Sequence, residues 1–165
     1  MGWREAEAPR RPRSTRYLWQ VANALSYPQP STVAATSVMR SNRKTDTKPE
    51  VFLRSELHRR GLRFRKHSAP AIEGRRIAVD IVFPRFRLAV FVDGCFWHSC
   101  PDHGTMPTAN AWYWVPKLRR NVERDHEVTL RLTSAGWRVL RVWEHTPARE
   151  AADMVEVALI CPRPR

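Results

Sequence analysis

The chain has 165 residues, 42% of them hydrophobic, and a formal net charge of +13. That length suits one domain with a real core, no apolar run approaches the ~18–20 residues of a membrane span, and no apolar segment follows the basic N-terminus as a secretory signal requires. Residues 1–66 hold 15 Lys and Arg against 5 Asp and Glu, so +10 of the excess sits early and points to a polyanionic partner, while three cysteines argue against a disulfide framework and for a reducing cytoplasm.

Residues 1–36 are rich in Arg, Pro, Ser and Ala and lack sustained periodicity, which predicts a flexible basic arm. Residues 37–48 read as a basic connector whose side chains suit phosphate oxygens, or equally as a solvated linker. The predicted domain spans residues 37–160, and residues 161–165 are a tail.

Thr47 is the expected N-cap of a helix running to about Arg60, with Pro49 in its first turn, Glu50 at the capping-box position and Gly61 as its stop. Leu62 to Lys66 alternates and predicts an edge strand, and residues 68–76 a turn region. Ile77 to Phe83 is apolar on both faces except at Asp80, a costly place for a carboxylate without a partner or a metal. Pro84-Arg85-Phe86 turns the chain, and Arg87 to Val92 returns it as a neighbouring strand. A long helix is predicted from about Val115 to Ala135, opened by Trp112-Tyr113-Trp114, with Leu118, Val122, Asp125, Thr129 and Leu132 on one face. Gly136 ends it, Arg138 to Trp143 is a core strand, and Ala148 to Ile160 is a closing helix. The order predicts an α/β fold with a small mixed sheet.

Between the second strand and the long helix lies a loop dense in chemistry. Cys95-x4-Cys100-x2-His103 supplies three zinc-type ligands, and His145, at the exit of a core strand, is the expected fourth; Cys161 is the alternative. A filled shell of four predicts a structural Zn2+ rather than a catalytic one. Phosphodiester hydrolysis needs a hard cation and a group that handles the proton of water. Asp80 is the candidate Mg2+ ligand, against a carboxylate satisfied by a backbone or Arg partner. His98 has the intrinsic pKa range of a general acid or base, against a spare ligand or a surface histidine. Asp125, on the inward helix face, could orient it, or pair with Arg124 or another Arg. Phe96, Trp97, Trp112 and Trp114 can wedge between base steps or pack the core.

Several runs together resemble a known family. Asp46-Thr47-Lys48-Pro49-Glu50, Gly61-Leu62-Arg63-Phe64-Arg65, Val90-Phe91-Val92-Asp93-Gly94-Cys95-Phe96-Trp97-His98, Asn121-Val122-Glu123-Arg124-Asp125 and Gly136 to Glu144 are similar to the very short patch repair (Vsr) DNA mismatch endonucleases, over roughly residues 37–148. The resemblance implies a restriction-endonuclease-like fold and Mg2+-dependent nicking of double-stranded DNA 5′ to the thymine of a T·G mismatch, the lesion left by 5-methylcytosine deamination. It implies Mg2+ held by Asp80 and the backbone carbonyl of Val92, His98 acting on water with Asp125 paired to it, and Glu50 as a nearby helix carboxylate. It implies DNA contact by Phe96, Trp97, Trp114 and Asn121, and zinc on Cys95, Cys100, His103 and His145. Val92 stands where the best-known member has Thr, and Asp93 where it has His, so Asp93 either adds a ligand or weakens activity. The expected protein is a bacterial cytoplasmic monomer, nucleoid-associated when bound to DNA, with downstream repair proteins as partners. The competing readings are a zinc-stabilised mismatch-binding module without chemistry and a restriction-type nuclease cutting both strands.

Overall fold

The computed structural model describes residues 45–72 and 75–160. The basic arm, most of the connector and Cys161 lie outside the described residues.

Helix α1 spans Lys48–Arg59, β1 Arg65–Ser68, β2 Ala71–Ile72, β3 Arg75–Arg76, β4 Val79–Phe83, β5 Leu88–Asp93, α2 Ala111–Ser134, β6 Arg138–Trp143 and α3 Ala148–Ile160. Four strands form one sheet in the order β1-β4-β5-β6, and β2 and β3 form a separate two-stranded ribbon. The β1-β4 and β4-β5 pairs are antiparallel, while β6 lies parallel to β5. The parallel pair requires a crossover, and α2 supplies it. The mixed α/β architecture expected from the sequence is therefore present.

Strand alternation sorts the core into two layers. Ile81, Phe83, Leu88, Val90 and Val142 face α1 and α3 and pack with Leu53, Leu57, Ala151, Ala152 and Val155. Val82, Ala89 and Phe91 face the other way and pack with Leu132 and Val128 of α2, and with Trp137 and Val139. Arg60, just past α1, reaches Asp153 and Glu156 of α3 at 2.6 and 2.9 Å and so ties the two helices at the solvent edge.

Three boundaries differ from expectation for identifiable reasons. The edge strand begins at Arg65 rather than Leu62, because Leu62 and Phe64 are spent on the core; Phe64 sits against the rings of His58 and Phe83. The expected turn region contains the short β2-β3 ribbon. The long helix starts at Ala111, so Trp112, Tyr113 and Trp114 form its first turn, and Val122 is 43% exposed rather than inward. Gly61 and Gly136 terminate α1 and α2 at φ +77° and +75°, a conformation glycine adopts without strain.

Candidate active site and Cys/His cluster

The capping of α1 brings Glu50 inward. Glu50 is 3% exposed, and its carboxylate accepts from the Asp46 N–H at 3.1 Å and the Thr47 hydroxyl at 2.9 Å. The carboxylate thus reaches back one residue further than in the expected capping box, and the Thr47 side chain donates to it instead of capping the helix backbone. Arg54 stands 3.5 Å from Glu50 and also pairs with Asp46. Asp46, Glu50 and His67 have ligand atoms within 4.8 Å of one another. The Arg54 guanidinium already supplies positive charge to that group.

Asp80 lies near the start of β4, and its Oδ2 accepts the Val92 N–H from β5 at 2.9 Å. The hairpin therefore joins Asp80 to the strand end from which the loop departs. Burial pushes the Asp80 carboxyl up to about 6, the Val92 hydrogen bond opposes this, and the charges of Glu50 and Asp93 add to it. Such a carboxylate gains from any cation brought to it. Asp80 presents oxygen, the donor type magnesium prefers.

The loop after β5 is wound by successive backbone bonds, from His98 N–H to the Gly94 carbonyl, from Cys100 to Cys95 and from Gly104 to Cys100, at 3.1, 2.9 and 2.8 Å. At Gly104 a Cβ would lie 2.3 Å from the Cys100 carbonyl oxygen, so this turn excludes every other residue. The winding gathers Cys95, Cys100 and His103, and β6 ends so that His145 meets them; one ligand atom from each lies within 4.8 Å of the others. Cys95 Sγ is 3.0 Å and Cys100 Sγ 3.9 Å from His145 Nδ1, and Cys100 Sγ is 4.0 Å from His103 Nδ1. A tetrahedral ion with metal–sulfur and metal–nitrogen bonds of about 2.3 and 2.0 Å places such atoms about 3.6 Å apart. The cluster could therefore hold a metal ion. Burial, then the neighbouring Cys100, pushes the Cys95 thiol up to about 11. Glu144 braces the same corner, its carboxylate accepting the Cys95 N–H at 2.6 Å.

His98 is directed back toward α2. Its Nδ1 meets Asp125 Oδ2, and an ionised carboxylate only accepts, so Nδ1 carries the proton and Nε2 is the ring's basic nitrogen. Asp93 Oδ1 is 3.7 Å from the same Nδ1. Asp93 is 4% exposed, and both its oxygens accept from Arg141, at 2.6 Å from Nε and 2.9 Å from Nη2. Arg141 also lies 3.1 Å from Asp125 Oδ1. Asp125 thus pairs with His98 through one oxygen and with an arginine through the other. That arginine is Arg141; Arg124 instead donates to the Asn121 side-chain oxygen at 2.9 Å.

The aromatic group is self-packed. Phe96, Trp97 and Trp114 have ring centroids 5.1 to 5.9 Å apart, and Lys117 lies over Trp97 and Trp114 at 5.5 and 5.2 Å. Trp112 meets the group through Tyr113, at 6.0 Å between ring centroids, and is 62% exposed. Asn121 donates to the Trp97 carbonyl at 3.1 Å and so anchors the loop to α2.

Sequence reasoning missed Arg141 and His67. Arg141 sits in a strand read as core, where alternation alone gives no sign that one position faces three acceptors. His67 carries φ +45° and touches Asp46 at 3.1 Å, a tertiary contact with no sequence signature.

A family model for the DNA mismatch endonuclease Vsr matches residues 31–102. The Type II nicking enzyme V.NaeI of Lentzea aerocolonigenes is 53% identical over 131 residues, which cover 79% of each chain. The Type II nicking enzyme V.NmeDIP of Neisseria meningitidis serogroup C is 41% identical over 120 residues, 72% of this chain and 78% of that one. The DNA mismatch endonuclease Vsr of Escherichia coli K12 is 39% identical over 107 residues, 64% of this chain and 66% of that one. With the protonated side of His98 held by a carboxylate and a carboxylate pocket beside it, these likenesses make the chain a member of the Vsr family of DNA endonucleases.

Proposed function

We propose that this endonuclease nicks one strand of double-stranded DNA 5′ to the thymine of a T·G mismatch and so starts very short patch repair. The observation that carries the reading is the His98–Asp125 pair on a loop that leaves β5 beside Asp80. In this reading Asp80 and the Val92 carbonyl would hold Mg2+, with Glu50 close by, and such an ion would supply Lewis-acid polarisation of the scissile phosphate. His98 Nε2 is read as the acceptor for the proton of the attacking water, with Asp125 hydrogen-bonded to the opposite side of the ring to orient it. The Cys95, Cys100, His103 and His145 cluster is read as a structural Zn2+ site that fixes the loop to the exit of β6. The four-stranded mixed sheet with helices on both faces supports a restriction-endonuclease-like core.

Phe96, Trp97 and Trp114 are read as the wedge that enters the duplex at the mismatch. Packed edge-on and tilted against one another, their ring faces are exchangeable for base stacking at modest cost. Asn121, through the Trp97 carbonyl, sets where the wedge points. A single mismatch has no twofold axis, so the active species is read as a monomer, working in the bacterial cytoplasm and handing its nick to downstream repair proteins. Residues 1–36 are read as a basic arm outside the endonuclease domain of residues 37–160.

The test is strand nicking on a labelled duplex with one T·G mismatch in a CC(A/T)GG-like context, with and without Mg2+. A single Mg2+-dependent nick 5′ to the thymine, lost in Asp80→Ala and on matched duplex, is the expected result. Tight binding by the wild type without any nick overturns the catalytic assignment, and a linear plasmid product favours a double-strand cutter.

A further inference from the structure

Arg141 is placed by the strand, not by chance of side-chain reach. The β5-β6 register sets it opposite Phe91, and its guanidinium lies 4.9 Å from the centroid of that ring. From there it donates in three directions. Two N–H groups grip Asp93, Nη2 faces Asp125 Oδ1 at 3.1 Å, and Nη1 reaches the Asp125 carbonyl at 3.3 Å and the Thr129 hydroxyl at 3.4 Å.

We propose that Arg141 is a positioning residue of the nicking site, holding Asp93 and Asp125 together so that Asp125 presents its free edge to His98. This rests on the nicking reading above. Asp93 and Asp125 both approach His98 Nδ1, from β5 and from α2. Two carboxylates at one ring nitrogen repel each other, and nothing within either element stops Asp125 from turning to solvent, since it is a partly exposed helix residue. Arg141 removes both difficulties at once. It neutralises the buried Asp93, which a lone carboxylate there requires, and it claims the Asp125 oxygen that His98 does not use. A counterion for Asp93 alone needs only the bidentate grip; the contacts to Asp125 and Thr129 exceed that need and clamp α2 to the sheet at the catalytic turn. A guanidinium can do this because its donors are fixed in one plane.

The decisive comparison is Asp93→Asn/Arg141→Met against Asp93→Asn. The double variant buries no lone charge, so it folds even where Arg141→Met alone does not, and melting and zinc content verify that. The expected result is single-turnover nicking at least ~10-fold slower than Asp93→Asn (about 1.4 kcal/mol), with the Kd for mismatched duplex within ~3-fold. The hydrogen-bonded Nδ1 proton of His98, read by NMR in the zinc-loaded protein without DNA, is expected in the wild type and in Asp93→Asn and absent from the double variant. Equal nicking rates, a loss confined to Kd, or an Nδ1 proton that survives without Arg141 each overturn the proposal. Should the wild type not nick T·G duplex, the NMR comparison still decides whether Arg141 holds the pair, so failure of the two readings is separable.

Discussion

Asp80 carries a partly buried carboxylate that is a cost to the fold. Its carboxyl is raised from the ordinary value of 3.8 to about 6, chiefly by burial. The folded chain therefore holds a proton that the unfolded chain releases between those values, and stability contributed by the protonated form is lost as pH rises through about 6. Asp80→Asn keeps an acceptor for the Val92 N–H and removes the charge. It should stabilise the protein by about 1–3 kcal/mol at pH 7 without Mg2+, and by little near pH 4, where both forms are neutral. Thermal melts of variant and wild type across that range measure the difference; a variant less stable than wild type at pH 7 contradicts the assignment. Asp80 could be singled out from sequence because a carboxylate in an apolar run is rare. Arg141 could not, because an arginine in a half-buried strand is as often an edge residue as a clamp.

At the scale of elements, the loop between β5 and α2 is tied to α2 at its first half, by His98–Asp125, Asn121 and the Trp97–Trp114 contact, while its second half turns on the Cys/His cluster. Its backbone turns are short, its outer residues Pro101, Asp102, His103 and Gly104 are exposed, and its two cysteines are buried against His145. Replacing Cys95 by Ala should abolish zinc binding and cost several kcal/mol, roughly 10 °C or more in Tm, because the ion's binding energy becomes folding energy. Metal analysis and calorimetry check this together. A wild type that holds no zinc, with a variant of unchanged Tm, removes the zinc assignment. The spacing Cys95-x4-Cys100-x2-His103 made the cluster legible. His145 was legible only as a strand-exit residue, and it is the parallel pairing of β6 beside β5 that brings it there. The start of α2 was put at about Val115 because Pro116 reads as a first-turn residue, whereas the helix begins at Ala111 and carries Pro116 in its second turn.

For the whole molecule, the charge is asymmetric. Residues 1–36 carry 5 Arg and 2 Glu. That net charge of +3 suits phosphate contacts, and the core clusters found among the described residues are built from residues after Thr47. Deleting residues 1–36 should weaken DNA binding at low salt and reduce the slope of log K against log salt by about 2–4 units, while leaving mismatch discrimination in place. Binding titrations at several salt concentrations measure the slope; an unchanged slope means the arm does not touch phosphate. No helix among the described residues is long and apolar enough to cross a membrane, in accord with the composition.

Periodicity and spacing determined the helices, the paired strands around Asp80, and the identity of the metal-type ligands, because these depend on residues near one another in the chain. Two things were decided only in three dimensions. The wound loop turns His98 to Asp125 across 27 positions, and the register of β6 on β5 sets Arg141 between Asp93 and Asp125. The physical reason is that both depend on the direction of a side chain from a buried surface, which strand pairing and helix docking fix jointly and neither segment encodes alone.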